Sequence, residues 1–455
     1  MKAFRFFVVF CLTGLCISFA SAQNPIVQTL YTADPAPMIH NDTLFVFLGH
    51  DEDFAPSNSY LMREYRLYST TDMVNWTDHG AVLSTGQVSW SANDASAAQC
   101  IERNGKFYLY ISTQNNTPGL GGSSIGVMVA DNIYGPYRDV LGKALITNDM
   151  TTFARHSWDD LDPTVFIDDD GQAYLYWGNG ACYWVKLNPD MISLDGEIHY
   201  INARDESAFG GSFTEGPWLY KRNDLYYLLY ASGFPEAIRY ATATSPGGPW
   251  NFRGTVMPTQ GGSNTNHPGM IDYKGNSYFF YHNDGLPGGH SYDRSACVEQ
   301  FEYNADGTIP ELAMTSGIVR GVGRLNPYIR TEAETIAFSE GVDVEGNAAE
   351  GVCVTAIHDG DYIKVRDVDF GTRGASKFTA NTASRYFGGS IELRLDSLDG
   401  AVIGTLSTDY TGEWDHWKLF STEVSGATGV HDLFLVFKGR KPHELFNFDY
   451  WIFEE

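Results

Sequence analysis

Apolar positions in this chain come in short bursts rich in aromatic and β-branched residues. Gly, Asn and Asp separate them, and from Gln23 to about Arg324 almost none follow the spacing of a helix face. Five bursts share one frame: a polar residue beside Pro or Gly, a tight turn, then an apolar run. The frame reads Asp34-Pro35 to Leu44-Phe45-Val46-Phe47, then Ser96-Ala97 to Phe107-Tyr108-Leu109-Tyr110, then Asp162-Pro163 to Tyr174-Leu175-Tyr176. It returns as Glu215-Gly216-Pro217 to Tyr226-Tyr227-Leu228-Leu229-Tyr230 and as His267-Pro268 to Tyr278-Phe279-Phe280. Copies spaced by roughly 50 to 65 residues, each a set of short strands, predict a β-propeller.

Aligned on the turns Asp42, Gly105, Gly171, Asp224 and Gly275, the copies place Asp34, Ser96 or Ala97, Asp162, Glu215 and His267 at equivalent positions. The innermost strand of each propeller blade starts beside the central axis, so these side chains are expected to meet at the mouth of one channel. Asp before Pro is ordinary in turns. Three carboxylates at equivalent repeat positions point instead to acid/base chemistry. A second recurrence (Tyr68 to Trp76, Val129 to Tyr137, Ala241 to Trp250) ends a strand with a polar turn and an aromatic, and reads as packing between blades.

The repeat stops at Val322–Tyr328, where Gly323, Asn326 and Pro327 read as a linker. Residues 329–455 alternate in strands such as Ile391–Leu395 and Leu433–Phe437, with turns such as Asp399-Gly400 between them. They are expected to form a β-sandwich. At the other end, Met1-Lys2-Ala3-Phe4-Arg5 precedes an apolar run from Phe6 to Phe19 and the small residues Ala20-Ser21-Ala22. The run is short for a spanning helix, so residues 1–22 read as a signal peptide cut before Gln23, the alternative being an uncut anchor. The protein is expected to be exported, to the periplasm or beyond the cell, without membrane insertion.

Without Lys2 and Arg5, 28 basic residues face 56 acidic ones, a net charge of −28. Such a chain repels nucleic acid and anionic membranes and suits a neutral polymer. Cys100, Cys182, Cys297 and Cys353 are widely scattered and suggest no zinc site; disulfides and buried thiols both remain open.

Ala33-Asp34-Pro35, Leu161-Asp162-Pro163-Thr164-Val165-Phe166 with Asp169-Asp170-Gly171, and Thr214-Glu215-Gly216-Pro217 resemble the three signatures of glycoside hydrolase family 43. The resemblance covers roughly residues 28–322. It implies a five-bladed β-propeller that cleaves arabinose- and xylose-containing plant cell-wall polysaccharides with inversion. Inverting hydrolysis needs a carboxylate to deprotonate water and a carboxylic acid to protonate the leaving oxygen. By resemblance Asp34 is the base and Glu215 the acid. Asp162 is the third carboxylate, whose charge holds the acid's proton on. Glu236 is a rival acid, ranked lower because it lies past the inner strand.

The resemblance further implies that His267 is an axial ligand of a second metal or of a water cluster, with a hydrogen-bonded structural histidine as the alternative. Arg294 is expected near the substrate or the third carboxylate. Asp51 is expected to hold sugar hydroxyls, and Trp90, Trp158 and Trp218 to wall the sugar subsites.

Glu332-Ala333-Glu334, Gly360-Asp361-Tyr362, Gly389 to Ser397, Thr411-Gly412-Glu413-Trp414 and Phe446-Asn447-Phe448-Asp449 resemble carbohydrate-binding module family 6. This implies a structural Ca²⁺ held by Glu332, Glu334 and Asp449, hard oxygen donors suited to it. It also implies a sugar cleft in which Trp414 stacks and Asn447 hydrogen-bonds. Many members carry an aromatic where this chain has Ala356, so the cleft is expected to have one wall.

The whole reads as an all-β, two-domain chain, with a propeller over 23–324 and a β-sandwich of jelly-roll type over 329–455. It is expected to act as a monomer that removes α-L-arabinofuranosyl groups from arabinoxylan or arabinan. The alternatives are a β-D-xylosidase acting on xylo-oligosaccharides, an endo-arabinanase, or a non-catalytic carbohydrate-binding surface protein.

Overall fold

The computed structural model describes residues 24–455 apart from 54, 56–58, 155 and 348–350; the expected signal peptide over 1–22 lies outside the described residues. The described chain is all-β, its helical pieces being one turn at Thr85–Gln87 and one at Glu206–Phe209. Up to Phe301 it forms five antiparallel sheets in chain order, strand beside following strand. Their first strands are Thr32–His40, Ser91–Arg103, Thr164–Ile167, Glu215–Arg222 and Gly269–Tyr273. Each first strand touches that of the next sheet, and Gly269–Tyr273 touches Thr32–His40, so the five close a ring.

The second strand of each sheet is buried on both faces, which is why it reads as an unbroken apolar run rather than as strict alternation. Phe45 and Phe47 enter the same core as Leu109 and Ile111 of the second sheet. Leu44, Val46 and Leu48 point the other way, into a core shared with Tyr278 and Phe280 of the fifth. The third sheet divides likewise: Leu175 and Trp177 pack with Tyr108 and Tyr110, whereas Tyr174 and Tyr176 pack with Leu228 and Tyr230. Period-two alternation thus sorts side chains between two neighbouring sheets instead of between core and water.

The ring is also laced end to end. Near the start of the described chain, the Ile26 N–H donates to the Ala296 carbonyl at 2.8 Å and the Val298 N–H to Asn24 Oδ1 at 3.0 Å, both on the last strand of the fifth sheet, Ser295–Phe301. Cys100, Cys182, Cys297 and Cys353 are free thiols.

Residues from Thr331 onward form two sheets around a second core containing Phe378, Leu393, Leu435 and Trp451. One of these sheets is continuous with the first sheet of the ring through the strand Trp76–Ser84. Thr335 and Ile336 pair antiparallel with Thr77 and Trp76, and Asn347 pairs in parallel with Ala81. Gly80 allows this approach: at φ 75°, a side chain there would lie 2.8 Å from the Asn347 backbone. Residues 322–328 are no free linker. The Val322 N–H donates to Asp72, the Leu325 N–H to Asp367 and the Asp369 N–H back to Leu325, which pins the segment to both units.

Candidate active site

At one end of the ring the first strands begin with irregular backbone. Asp34, Asp162 and Gly216 each precede a proline and each adopt positive φ, 55°, 58° and 60°. Positive φ at a non-glycine residue costs energy and is held by its surroundings. The pairing register also slips at this point, between Ala33 and Ala36, between Ala95 and Ala98, and between Glu215 and Trp218. Such bulges turn side chains out of the sheet, here toward the axis. Glu215 therefore sits one residue upstream of the position held by Asp34 and Asp162. Gly216 fills that position because a side chain would meet His267 Nδ1 at 3.1 Å.

A cavity of about 590 Å³ opens over these residues, lined by Asp34, Asp162, Glu215, Glu236, His267 and Arg294 among others. Asp34 is 6% exposed and Arg294 3%. Burial opposes the Asp34 charge, but Arg294, with Nη1 at 3.0 Å from Oδ1, holds its carboxyl below the usual range. His282 stays neutral because burial pulls it down to about 3. Its Nε2 faces the Thr265 carbonyl at 3.0 Å, so Nδ1 is free to accept the Asp34 N–H at 3.3 Å.

Glu215 is pushed up, by burial first and by the Asp34 charge, although the Asn179 amide donates to its Oε2. Asp162 lies well above the carboxylate range, through burial and then through Glu215 and Asp34. Burial is thus the largest cause favouring a proton on Glu215, with Asp34 as a like charge acting on it, and Glu215 and Asp162 lie close enough to raise one another. Asp162 is itself kept protonated by the same crowd. His267, lowered by burial, sits with Nδ1 3.9 Å from Asp162 Oδ2.

Other expected site residues divide. Trp158 is 53% exposed, stacks on His156 and lines the cavity. Its loop is held by the buried Asp160, which accepts from Thr151 Oγ1 and Trp177 Nε1 at 2.7 Å each. Trp90 and Trp218 are buried at 3% and 4% and wall no subsite; their indole N–H groups go to Asp139 and to the Met270 carbonyl. Asp51 is fully buried and reaches no sugar, because both its oxygens grip Arg294. Arg294 faces Asp34 rather than chiefly the third carboxylate.

The sequence reading missed His282, Asn179 and the exposed Phe234, and it underrated Glu236. Phe234 and Glu236 follow Gly233 in the hairpin that joins the second and third strands of the Glu215 sheet, a signal that a longer look at that turn would have found.

In the C-terminal unit, the Asn447 amide donates to the Trp414 carbonyl at 2.9 Å, which brings the two expected cleft residues together. Tyr386 meets Trp414 edge-on at 5.9 Å. Around the expected Ca²⁺ ligands, Glu334 is 5% exposed and its Oε2 has no donor. Burial, Glu332, Asp78 and Asp449 all push its carboxyl well up. Arg330 pairs with Glu332 at 2.7 Å and stands 3.6 Å from Asp449. Among the described residues no three His, Cys, Asp or Glu side chains are grouped closely enough to hold a metal ion. The orphaned Glu334 oxygen among like charges is the feature that fits a cation.

The family model for glycosyl hydrolases family 43 matches residues 22–309, and that for carbohydrate binding module (family 6) matches residues 332–455. An arabinoxylan arabinofuranohydrolase of Bacillus subtilis (strain 168) is 35% identical, covering 95% of this chain and 92% of its own. Another from Paenibacillus polymyxa is 32% identical over 95% of this chain and 74% of that one. A crystal structure of a family 43 arabinoxylan arabinofuranohydrolase from Bacillus subtilis, in complex with cellotetraose, superposes with a TM-score of 0.83 at 34% identity. It covers 95% of this chain and 97% of that one.

Proposed function

We propose, for a chain that belongs to glycosyl hydrolases family 43 and carries a family 6 carbohydrate-binding module, that the cavity removes α-L-arabinofuranosyl groups from arabinoxylan or arabinan with inversion. The observation that carries this reading is the split environment of carboxyl groups in one pocket: Asp34 is paired with Arg294 at 3.0 Å, and Glu215 is buried beside an amide. Arg294 keeps Asp34 ionised, while burial and the Asp34 charge keep Glu215 protonated. Asp34 takes a proton from water as its oxygen attacks the anomeric carbon. The bond to the leaving sugar breaks, and Glu215 gives its proton to the departing oxygen. Asp162, buried in the same cavity, has its own carboxyl held well above the usual range and so competes little for that proton. Near-full-length similarity to two arabinoxylan arabinofuranohydrolases supports the substrate class.

The five sheets are the blades of a five-bladed propeller in this reading, supported by their closed ring of first strands. We place the domains at 23–324 and 329–455, the second a β-sandwich, as a monomer exported by the signal peptide over 1–22. Support for export is the Phe6–Phe19 run with Ala20-Ser21-Ala22. Trp158 supplies a sugar-stacking wall, and Trp414 with Asn447 a one-sided cleft. Ca²⁺ binds at Glu334 with Glu332 and Asp449, supported by the donorless Glu334 oxygen. A second metal near His267 draws support from its imidazole being kept neutral, the ligating form; no step depends on it.

The test is release of p-nitrophenol from the α-L-arabinofuranoside and the β-D-xylopyranoside, with arabinose release from arabinoxylan, for the wild type and Glu215→Gln. Arabinofuranoside cleavage lost on arabinoxylan by about 10²–10⁴ in Glu215→Gln is expected. Cleavage of the xyloside alone, or an unimpaired variant, would overturn the reading.

A further inference from the structure

Glu236 is a charged side chain in the cavity that the reaction above does not use. It is 3% exposed, opens the strand Glu236–Ala243 after the Gly233-Phe234-Pro235 turn, and lines the same pocket as Glu215. Its Oε2 accepts the Asn266 N–H at 2.7 Å. Its Oε1 is buried and has no donor from the protein. The carboxyl of Glu215 lies within hydrogen-bonding reach of it, at the same end of the sheet but two strands away, with Leu225–Gly233 between. Two carboxylates side by side in a dry pocket repel. A carboxyl and a carboxylate attract through the proton between them, and that proton supplies the donor that Oε1 lacks.

We infer that Glu215 and Glu236 form a carboxyl pair sharing one proton, so that Glu236 is the positioning residue that holds the catalytic proton on Glu215 and restores it after each turnover. This rests on Glu215 being the acid. When Glu215 passes its proton to the leaving oxygen, the pair is left with both carboxyls ionised. Their repulsion then drives uptake of one proton from water, which returns the pair to its starting charge. Over the cycle the water nucleophile gives one proton to Asp34, Asp34 releases it to solvent, and the pair takes one up, so protons balance.

The groups facing the pair are Asp162 from the third sheet, Asp34 from the first, Arg294 before the last strand of the fifth, and His267 beside Gly216. Burial and Glu215 push Glu236 well up; burial pushes Glu215 up as well, while its hydrogen bond with Glu236 pulls it back, so the one proton is divided between the two carboxyls.

The experiment is the pH dependence of kcat/KM on arabinoxylan for the wild type, Glu215→Gln and Glu236→Gln. In Glu236→Gln the amide donates to the Glu215 carboxylate and removes the like charge, so Glu215 loses its proton more easily. The basic limb should move down by about one pH unit or more, a roughly tenfold loss above the limb. The acid limb, set by Asp34, should stay. A buried glutamate with only a structural role would lower the whole profile without moving the basic limb, and that outcome overturns the inference. If Glu215→Gln is inactive on arabinoxylan while the Glu236→Gln limb coincides with the wild type, the pair fails and the acid assignment stands. A fully active Glu215→Gln would instead overturn the acid assignment itself. Glu236→Asp, which retracts the carboxyl by one methylene, should shift the limb the same way by less. It decides the matter if Glu236→Gln does not fold.

Discussion

Asp51 holds Arg294 with both carboxylate oxygens, from Nε at 2.8 Å and from Nη2 at 2.8 Å, and the third nitrogen of the same guanidinium reaches Asp34 at 3.0 Å. A bidentate grip fixes a planar cation far better than a single contact. The charge that keeps the base ionised is therefore set from a residue that reaches no substrate. Asp51→Asn should loosen the guanidinium and let the Asp34 pKa rise. The acid limb of kcat/KM should move up by about one pH unit. An unmoved acid limb in a folded variant would detach Asp51 from the base.

Trp158 and Trp90 should fail in opposite ways. Trp158→Ala removes an exposed ring beside the cavity, so KM on arabinoxylan should rise about tenfold, roughly 1.4 kcal/mol, with little change in melting temperature. Trp90→Ala empties a packed site and should cost about 3–5 kcal/mol of stability. Paired Michaelis and thermal-melt measurements check both, and a purely thermal effect at Trp158 would remove it from the subsites.

The Asp160 carboxyl under the Trp158 loop is pushed up to about 7 by burial, with Asp159 adding to it. A raised carboxyl binds its proton more tightly in the folded state. Its contribution is full below the unfolded value near 4 and is lost as pH rises through about 7. A shift of about three units is roughly 4 kcal/mol at most. Asp160→Asn should therefore lose less stability than the wild type between pH 4 and pH 8, since the Thr151 hydroxyl can turn to accept from the new amide. Parallel denaturant titrations at the two pH values make the comparison; equal losses would contradict it.

Glu334, with its donorless oxygen, gives the Ca²⁺ proposal a direct readout. At a hundredfold excess over its Kd, Ca²⁺ should stabilise the protein by ~2.7 kcal/mol, and Glu334→Gln should abolish the gain. Identical melting in chelator and in Ca²⁺, with no bound calcium by elemental analysis, would end it.

Much of the ring was legible because its signals are local. Each turn and each Pro after Asp34, Asp162 or Glu215 marks where a first strand starts, and the apolar run after it marks a strand buried on both faces. What the sequence could not convey was which way a ring or a charge faces. Trp90 and Trp158 both precede polar loops, yet one N–H finds Asp139 across its own sheet and the other ring stays in solvent. Asp51 reads as a sugar ligand because it ends an inner strand, and only the fold brings Arg294, far along the chain, against it. Glu236 was discounted for lying beyond the first strand, although a hairpin returns it to within reach of Glu215. The segment 322–328 looks like a tether by composition, and its hydrogen bonds to Asp72 and Asp367 belong to distant partners.

Because Trp76–Ser84 is a strand of both units, with Gly80 admitting the Asn347 backbone, the two cannot swing apart without breaking sheet pairing. Gly80→Val, strained and clashing, should cost about 1–3 kcal/mol and split one thermal transition into two. A module on a loose tether raises local substrate concentration for any chain within its reach. With the sugar-binding roles proposed for Trp414 and the Asp34–Glu215 cavity, one fixed like this would work as a caliper: it would favour only polysaccharides whose bend and branch spacing let a single chain reach both at once, and gain nothing from the rest.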